Sequence, residues 1–442
     1  MARASCTPPT RAAASTSTWS SRKFRAGPGH PGPASFCRPC LCLTAFCTIR
    51  SDSSVIGKTW KSEIREFVDP KTGRTIQQLT STGNNIHLYF TENSFDASRN
   101  EIIFRSDRAS GKDRLPHEDP LLNLFHMDLG TGVITQLTDE DQAVGGVTKT
   151  PDSKLVVYTV GNKVRVLNTE TGEARTVYEE TGSYILGAPS IACNRRYIAF
   201  TRNEEVHVAR GPNYTGFKDL FYKVKDGRIT LAYLDGSGAF DVLRDTHQVG
   251  HFQFCPDEPT IATYCHEGPW NLVTQRIWLL DFVSGRPYPC FRQEESDSVG
   301  HEFWTQDGYV FFDNRGPGHD GTITSDRTQA VAKDVAVNEN AMIPFVGLAD
   351  RNGNVVRRID MPYYCNHYHG NPDNTILVGD DVDDLVLIDI SGEKATLETL
   401  CAHGTSWHTG TSHCHPTWSW DGTRILYASD KGGKINLYMI RP

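Results

Sequence analysis

The sequence contains no apolar run that approaches the roughly 20 residues needed to span a bilayer, so it predicts no transmembrane segment. After residue 51 it also lacks a basic block, and its formal net charge is −8, with Asp+Glu 53 against Lys+Arg 45. A nucleic-acid-binding surface needs clustered positive charge, so this balance argues against nucleic acid as the main partner. With 38% hydrophobic and 22% charged residues, the 442-residue chain is predicted to be a soluble globular protein whose oligomeric state the sequence leaves open.

Cysteine spacing shows no disulfide framework. Five of the 12 cysteines precede residue 50, and the others are scattered singly along the chain. Scattered thiols are typical of a reducing compartment, so we expect a cytoplasmic protein whose later cysteines are buried and reduced.

The N-terminal segment differs from the rest of the chain. Its first 51 residues contain no acidic residue and are rich in Arg, Ser, Pro, Ala and Cys. This composition resembles an organellar transit peptide or an upstream extension, which leaves organellar targeting open. The spacing Cys37-x-x-Cys40-x-Cys42 would suit a metal knuckle, but no second ligand pair lies nearby. We therefore predict a disordered leader over residues 1–55.

From about residue 70 the chain has the pattern of short β-strands separated by turns, with no sustained helical periodicity. Seven turn residues, which we call markers, recur at spacings of 42 to 66 residues, as is typical of four-stranded propeller blades. The markers are Asp96, Asp152, Asn194, Asp257, Asp307, Asp373 and Asp421. A second strand follows each marker, at residues 101–105, 154–160, 196–202, 260–265, 308–313, 374–379 and 424–429.

The last repeat lacks a fourth strand, whereas an unassigned strand at residues 74–80 precedes the first repeat. Pairing the two would close the ring of blades and remove exposed sheet edges. We therefore predict an all-β fold, a seven-bladed β-propeller of four-stranded antiparallel blades over residues 70–442, closed by the N-terminal strand. Six or eight blades are the alternatives, because residues 322–346 are irregular.

Four histidines occupy one phase of the repeat, six residues before a marker, which we call the axial position. They are His251, His301, His367 and His415. The first strand of each blade lines the central channel, so these imidazoles should surround one side of its mouth. His413 lies two residues before His415 on a strand and faces the same way.

Histidines that converge in this way are typical ligands of a divalent metal ion. A lone histidine on a strand is more often a hydrogen-bonded core residue, but several at one phase argue against that interpretation. Blades one to three carry other residues at the axial position, which leaves space opposite for a substrate. These residues are Phe90, Gly146 and Ala188.

The loop after the second strand of blade four reads Cys265-His266-Glu267-Gly268-Pro269-Trp270, and Arg276 follows among apolar residues. A buried arginine needs an anion, either a substrate group or Glu267. Trp270 either stacks on a sugar ring or caps the blade. The acidic run at residues 380–384 either holds a cation or forms a solvated loop. The predicted substrate contacts are Arg105, His251, His266 and Trp270.

A metal, an arginine and an unligated histidine together suit β-elimination from a uronic acid. The proton α to the carboxylate becomes more acidic when a metal and an arginine neutralise the carboxylate charge. A neutral histidine accepts that proton near neutral pH. A glycoside hydrolase would need two carboxylates facing the bond, and the axial positions contain none.

Five segments of the sequence together resemble the oligogalacturonate lyases, seven-bladed propeller enzymes of pectin breakdown. The segments lie at residues 251–256, 265–270, 276–278, 301–308 and 413–422. The resemblance implies cleavage of short, often unsaturated galacturonides to 4-deoxy-5-keto uronate monomers inside the cell. It also implies that His301 is the Brønsted base and that Arg276 assists charge neutralisation. Manganese would be the cofactor, with the ligands His367, His413 and His415.

The fourth metal ligand departs from the family's pattern. The family has a glutamine three residues before the His-x-His pair, where this chain has Gly410. His408, His369 or a water molecule would have to replace it. This loss, with Cys414 between the paired histidines, leaves a second interpretation, a catalytically silent propeller that binds oligosaccharide or protein. A hydrolase or epimerase acting on the same substrate is a third.

Overall fold

The computed structural model describes residues 56–209, 215–315, 344–408 and 410–442. In these residues 30 β-strands form seven sheets, accompanied by one α-helix, α1 (Phe217–Lys223), and a 3-10 helix at Gly410–Ser412. The predicted leader at residues 1–55 lies outside the described residues, as does most of the irregular segment at 322–346. Within the described ranges, no helix has both the length and the apolar character needed to cross a membrane.

The first three blades follow three N-terminal strands. The N-terminal strands are β1 (Thr59–Trp60), β2 (Arg65–Val68) and β3 (Thr75–Gln78). Blade one contains β4 (Asn85–His87), β5 (Glu101–Ser106), β6 (Asn123–Asp128) and β7 (Ile134–Gln136). Blade two contains β8 (Val144–Lys149), β9 (Leu155–Val160), β10 (Lys163–Asn168) and β11 (Ala174–Glu179). Blade three contains β12 (Tyr184–Ile191), β13 (Tyr197–Glu204), β14 (Gly227–Tyr233) and β15 (Ala239–Asp245).

The remaining four blades repeat the same order. Blade four contains β16 (Val249–Phe254), β17 (Ile261–His266), β18 (Ile277–Asp281) and β19 (Arg286–Pro289). Blade five contains β20 (Val299–Trp304), β21 (Val310–Asn314), β22 (Phe345–Ala349) and β23 (Val355–Asp360). Blade six contains β24 (Tyr368–Gly370), β25 (Ile376–Asp380), β26 (Asp384–Asp389) and β27 (Thr396–Ala402). Blade seven contains β28 (Thr417–Trp418), β29 (Ile425–Ser429) and β30 (Asn436–Ile440).

The marker residues end the first strand of a blade through a local side-chain hydrogen bond. Thr305 Oγ1 donates to Asp307 Oδ1 at 2.7 Å, and Ser419 Oγ donates to Asp421 Oδ1 at 2.6 Å. Gly308 follows Asp307 with a φ of 79°, a left-handed conformation that glycine adopts without strain. The markers therefore lie at real turns, and the seven-bladed prediction is confirmed.

The N-terminal strands close the propeller. β3 pairs antiparallel with β30, in the register Ile76 to Ile440 and Gln78 to Tyr438, which confirms the predicted closure of blade seven. β2 pairs with β3, and β1 pairs with β7, so blades seven and one each have five strands. These two short strands lie before residue 70, where the sequence predicted no part of the propeller.

Closure by β3 predicts a large effect of replacing Ile76 with alanine. Ile76 is fully buried in an apolar cluster between blades six and seven, so its truncation should lower the free energy of unfolding by about 2–5 kcal/mol. Val68 on the neighbouring β2 is 61% exposed, so Val68→Ala is the matched control and should change it by no more than about 1 kcal/mol. Urea unfolding measures both, and equally small effects would contradict closure by β3.

Candidate active site

The first strand of four consecutive blades bulges at the axial position. The pairing register shifts between Val144 and Val147, Leu186 and Pro189, Gly250 and Gln253, and Val299 and Glu302. A bulge leaves one residue unpaired and re-aims its side chain, and bulges are frequent beside active sites. These bulges direct the axial residues of blades two to five out of the regular sheet.

A side chain on the second strand holds the bulge in place. In blade five, Asp313 Oδ1 accepts the amide hydrogens of Gly300 at 2.8 Å and His301 at 2.6 Å. In blade two, Thr159 Oγ1 accepts the amide hydrogen of Gly146 at 2.9 Å. A Cβ atom on Gly300 would lie only 2.7 Å from Asp313 Oδ1, so the residue before the axial position must be glycine for this contact to form. Glycine occupies this place in all four bulged blades, as Gly145, Gly187, Gly250 and Gly300.

The structure brings four of the predicted histidines together. The ring centroid of His367 lies 4.9 Å from that of His301, 4.3 Å from that of His415 and 5.4 Å from that of His413. Phe90, the axial residue of blade one, packs against His301 at 5.5 Å and against His367 at 5.6 Å. The imidazoles of blades five, six and seven therefore meet, as their common phase predicts.

Three of these histidines form a site suited to a divalent metal, which we call the metal trio: His367, His413 and His415. One ligand atom of each lies within 4.8 Å of the others. Asp380 Oδ2 lies 2.9 Å from His367 Nδ1, an arrangement that leaves Nε2 of His367 free as the ligand atom. Burial lowers the pKa of His413 to about 3, and burial also lowers the pKa values of the other two well below the ordinary value. All three are neutral at physiological pH, the form that binds metal.

Neither histidine proposed as a fourth ligand joins the trio. His369 stacks on Phe303 with a centroid distance of 5.4 Å, and His408 is exposed to solvent. Gly410 begins the 3-10 helix and has no side chain to offer. The buried indole of Trp407 instead lies 5.1 Å from the ring of His413. Of the three alternatives from the sequence, water is the one compatible with this arrangement of the described residues.

His301 lies between a buried carboxylate and a buried guanidinium. Its Nδ1 is 3.3 Å from Arg315 Nη2 and 3.7 Å from Asp313 Oδ2. The guanidinium carbon of Arg315 is 3.1 Å from the ring centroid of Trp270 and 3.4 Å from that of Tyr364, so aromatic rings cover it. Burial, and then the positive charge of its neighbours, lowers the pKa of His301 well below its ordinary value, so the imidazole is neutral. Burial raises the pKa of Asp313 to about 6.

Arg276 belongs to a second buried network, on the side of blade four. Its Nη1 lies 3.6 Å from Glu267 Oε2, and its Nε lies 3.7 Å from Glu302 Oε2. His251 bridges the same carboxylates, with Nδ1 2.8 Å from Glu302 Oε1 and Nε2 3.1 Å from Glu267 Oε1. Burial lowers the pKa of His251, but the two carboxylates outweigh burial and raise it. The salt bridge to Glu267 that the sequence left open is present, and Glu302 is a second partner.

A cavity of about 400 Å³ opens beside this network. Its lining includes Gly146 and Ala188, the axial residues of blades two and three, so open space lies beside His251, whereas His301 and the metal trio do not line this cavity. Arg105 and His251, two of the predicted substrate contacts, also line the cavity. Arg105 is held by the carbonyl oxygen of Gly145, to which its Nη1 donates at 2.8 Å.

The other two predicted substrate contacts differ in their placement. Trp270 is buried at the site, with its ring 5.7 Å from that of His301. His266 faces elsewhere, because its Nε2 lies 3.0 Å from Asp245 Oδ2 and its ring stacks on His247 at 4.3 Å with an interplanar angle of 11°. The lone pairs of two parallel stacked imidazoles lie in separate planes and do not meet at one ion. This placement gives no support to a substrate contact of His266, and the three side chains form a hydrogen-bonded cluster rather than a metal site.

The acidic run at residues 380–384 is not the solvated loop that its composition suggested. Asp380, Asp381 and Asp384 are at most 2% exposed. Asp380 holds a histidine of the metal trio, and Asp384 pairs with Lys71. Each carboxylate has exchanged water for a protein partner, which the charge pattern alone does not reveal.

Three residues of the site escaped the sequence analysis. Asp313 and Asp380 lie six and seven residues after their markers, on the second strand, where each faces an axial histidine. The glycine repeated before the axial position in blades two to five was a usable signal of the bulge, whereas the two aspartates differ in phase by one residue. Arg315 follows β21 directly, and no feature of the repeat distinguishes it.

The closed ring of seven blades, with a cluster of buried imidazoles suited to a divalent metal, defines the class of the protein as a β-propeller. The model of the oligogalacturonate lyase family matches residues 55–442, and the chain belongs to this family.

Two curated relatives match most of the chain. The oligogalacturonide lyase of Pectobacterium atrosepticum is 24% identical over 403 residues, which cover 85% of this chain and 95% of the relative. The oligogalacturonate lyase of Dickeya dadantii is 23% identical over 416 residues, covering 87% and 97%. A solved structure of an oligogalacturonate lyase in complex with manganese has the same fold, with a TM-score of 0.72 at 21% identity over 87% of this chain and 98% of that chain.

The geometry of the trio predicts the outcome of removing one ligand. His413→Ala should weaken binding of Mn²⁺ by about 100-fold or more, because two imidazoles remain of three. Calorimetric titration of the metal-free protein measures the affinity. His408→Ala is the control, since that exposed side chain lies outside the trio and its loss should leave the affinity unchanged. Equal affinities for the two variants would contradict the assignment.

Proposed function

We propose that the protein cleaves short oligogalacturonides by manganese-dependent β-elimination and releases 4-deoxy-5-keto uronate monomers. Membership of the oligogalacturonate lyase family and the lyase names of both bacterial relatives support this activity. The observation that carries it is an unligated neutral histidine, His301, whose ring lies 4.9 Å from a ring of the metal trio. The reaction needs this combination of a base and a cation next to one carboxylate.

Manganese is the proposed cofactor. The donor set of three buried neutral imidazoles fits a divalent transition metal, and a structural relative is described in complex with manganese. The residues that would hold the ion are His367, His413 and His415. When bound, the ion supplies a positive charge that offsets the substrate carboxylate and makes its α-proton more acidic.

His301 is the proposed Brønsted base. Its depressed pKa keeps the imidazole unprotonated at neutral pH, so it has a lone pair for the α-proton of the uronate. The C–H electron pair then forms the new C=C bond, the C–O bond to the departing sugar breaks, and that oxygen takes a proton from water. The ring of the released unsaturated monomer opens, and its enol tautomerises to the 4-deoxy-5-keto form. Phe90 and Trp270 pack around the imidazole at 5.5 and 5.7 Å and limit the access of water to it.

Arg276 is the proposed partner of the negative charge that develops on the uronate. Burial lowers its pKa, but Cys265, Glu267 and Glu302 outweigh burial and raise it, so the guanidinium keeps its charge. Its Nε and Nη1 have no hydrogen-bond partner among the described residues, and both ion pairs are longer than 3.5 Å. These donors are therefore available to a carboxylate. His251, Arg105 and Trp270 complete the proposed substrate site, and the placement of His266 does not support its inclusion.

Hydrolysis by a carboxylate pair does not fit the site. The loop residue Glu267 lines the cavity and Glu302 lies nearby, although the sequence analysis found no carboxylate at the axial positions. His251 occupies the space between the two, with one ring nitrogen bonded to each. A scissile glycosidic bond would have to occupy that same space.

The proposed location is the cytoplasm. The seven cysteines after residue 50 are free, and six of them are buried while Cys193 is exposed. Unpaired thiols are typical of a reducing compartment.

Turnover should depend on His301 independently of metal binding. His301→Ala is expected to lower kcat by about 10²–10⁴-fold because the base is lost, whereas Mn²⁺ affinity stays unchanged because the trio is intact. The measurement is the loss of ultraviolet absorbance as an unsaturated oligogalacturonide is converted to 4-deoxy-5-keto monomers, which lack the conjugated C=C bond. His117→Ala, an exposed histidine, is the matched control.

Two outcomes of that assay would count against the proposal. Full activity of His301→Ala would show that the base lies elsewhere. No product from the unmodified protein at saturating Mn²⁺ would favour the silent carbohydrate-binding propeller, the second candidate, which the glycine at position 410 favours.

A further inference from the structure

One position of the second strand, which faces the axial residue, differs in its side chain from blade to blade. In blades two, three and five this position faces the bulge, and it is occupied by Thr159, Thr201 and Asp313. In blade six, Asp380 takes the same place, because its Oδ1 accepts the amide hydrogen of His367 at 2.7 Å. Threonine accompanies the axial glycine and alanine of blades two and three, and aspartate accompanies the axial histidines of blades five and six. The second strands of blades four and seven, whose axial residues are also histidines, contain no aspartate.

Holding the backbone does not require a carboxylate. Thr159 Oγ1 accepts the amide hydrogen at the bulge of blade two at 2.9 Å, as Asp313 Oδ1 does in blade five. A carboxylate differs in having a second oxygen. The aspartates of blades five and six therefore have a capacity that the threonines lack, and this second oxygen points to a further role.

The second oxygen of Asp380 has a hydrogen-bond partner, whereas that of Asp313 lies just beyond hydrogen-bonding distance of one. Asp380 Oδ2 lies 2.9 Å from Nδ1 of His367. Asp313 Oδ2 lies 3.7 Å from Nδ1 of His301 and 3.8 Å from Nε of Arg315, and it has no hydrogen bond to any residue that the structure describes. A buried carboxylate oxygen without a donor costs about 1–3 kcal/mol, so a shift of less than 1 Å that supplies one is favoured.

The partner of Nδ1 decides which nitrogen of His301 can act as a base. If Arg315 donates to Nδ1, the proton of the neutral imidazole lies on Nε2, and that nitrogen has no lone pair for a substrate. If Nδ1–H donates to Asp313, the lone pair lies on Nε2, which has no hydrogen bond to the described residues. Only this second arrangement leaves a basic lone pair on Nε2, the ring nitrogen that faces away from Asp313 and Arg315.

We infer that Asp313 is a positioning residue for His301, whose Nδ1–H it accepts so that Nε2 is free to take the substrate's α-proton. This inference rests on the proposed role of His301 as the base. In the step, the proton moves from carbon to Nε2, the Nδ1–H stays in place, and the imidazolium charge lies beside the Asp313 carboxylate. The carbon electron pair forms the C=C bond as the C–O bond to the departing sugar breaks.

Two substitutions of Asp313 test this role. Asp313→Asn presents an amide N–H to Nδ1 and so favours the wrong tautomer. Asp313→Thr copies blade two, in which a threonine accepts the amide hydrogen at the bulge, so it keeps the backbone contact if the asparagine variant fails to fold. Both variants should lower kcat by about 100-fold or more, while KM and Mn²⁺ affinity stay within about twofold.

Asp380→Asn is the matched control, because it changes the equivalent aspartate beside a metal ligand. Its Mn²⁺ affinity should fall by about 10- to 100-fold, and kcat should recover substantially at saturating Mn²⁺. A double variant, His301→Ala with Asp313→Thr, should be no slower than His301→Ala alone, since Asp313 acts through the imidazole.

The outcomes separate the inference from the proposed function. Near-normal kcat of Asp313→Thr together with an inactive His301→Ala would overturn the inference and leave the base in place. Loss of Mn²⁺ affinity in Asp313→Thr equal to that in Asp380→Asn would also overturn it, because Asp313 would then act on the metal. Full activity of His301→Ala would remove the base itself, and the inference with it.

Discussion

The placement of His301 and His367 depends on a hydrogen bond between the first and second strands of a blade, which is present in blades two, five and six. A side chain of the second strand accepts the backbone amide at the axial position, and the neighbouring glycine leaves room for it. This contact holds the bulge that directs the axial side chain out of the sheet. In blades five and six the contact places His301 and His367, which are far apart in sequence, at equivalent points of their blades.

The two sides of the site have opposite electrostatic character. On the side of blades six and seven, burial without carboxylates at the ring nitrogens keeps His413 and His415 neutral and therefore able to bind a metal. On the side of blade four, two buried carboxylates raise the pKa of His251 and hold a charged Arg276. His301 lies in blade five between these regions. A uronate bound there would meet a cation, a guanidinium and a neutral base together.

The repeat made the fold and the convergence of histidines predictable. A marker every 42 to 66 residues identified the blades, and one shared phase placed four imidazoles at one mouth of the channel. The strands β1 and β2 escaped prediction because they lie outside the repeat and are only two and four residues long. Closure by β3 was predictable because the last blade visibly lacked a strand.

Residues that are not axial were harder to predict, since their roles depend on partners in other strands. His266 was expected at the substrate, but its nearest polar partner is Asp245 on the last strand of blade three. Asp380 belongs to an acidic run whose composition suggested solvent exposure, yet it is buried against His367. Arg315 has no repeat signal, and aromatic rings from two other loops surround it. The period and phase of the sequence repeat predict where the backbone elements lie. The pairing of side chains depends on which residues of other strands and loops meet in the folded structure.

The central claim is that imidazoles of different blades share one metal ion beside an unligated histidine. Anomalous diffraction at the manganese edge, from crystals of the protein grown with Mn²⁺, tests it most directly. We expect one peak within bonding distance of a ring nitrogen of His367, His413 and His415, with His301 next to it but not bonded to it. A peak bonded to His301, or a strong peak only at Asp245, His247 and His266, would contradict the account.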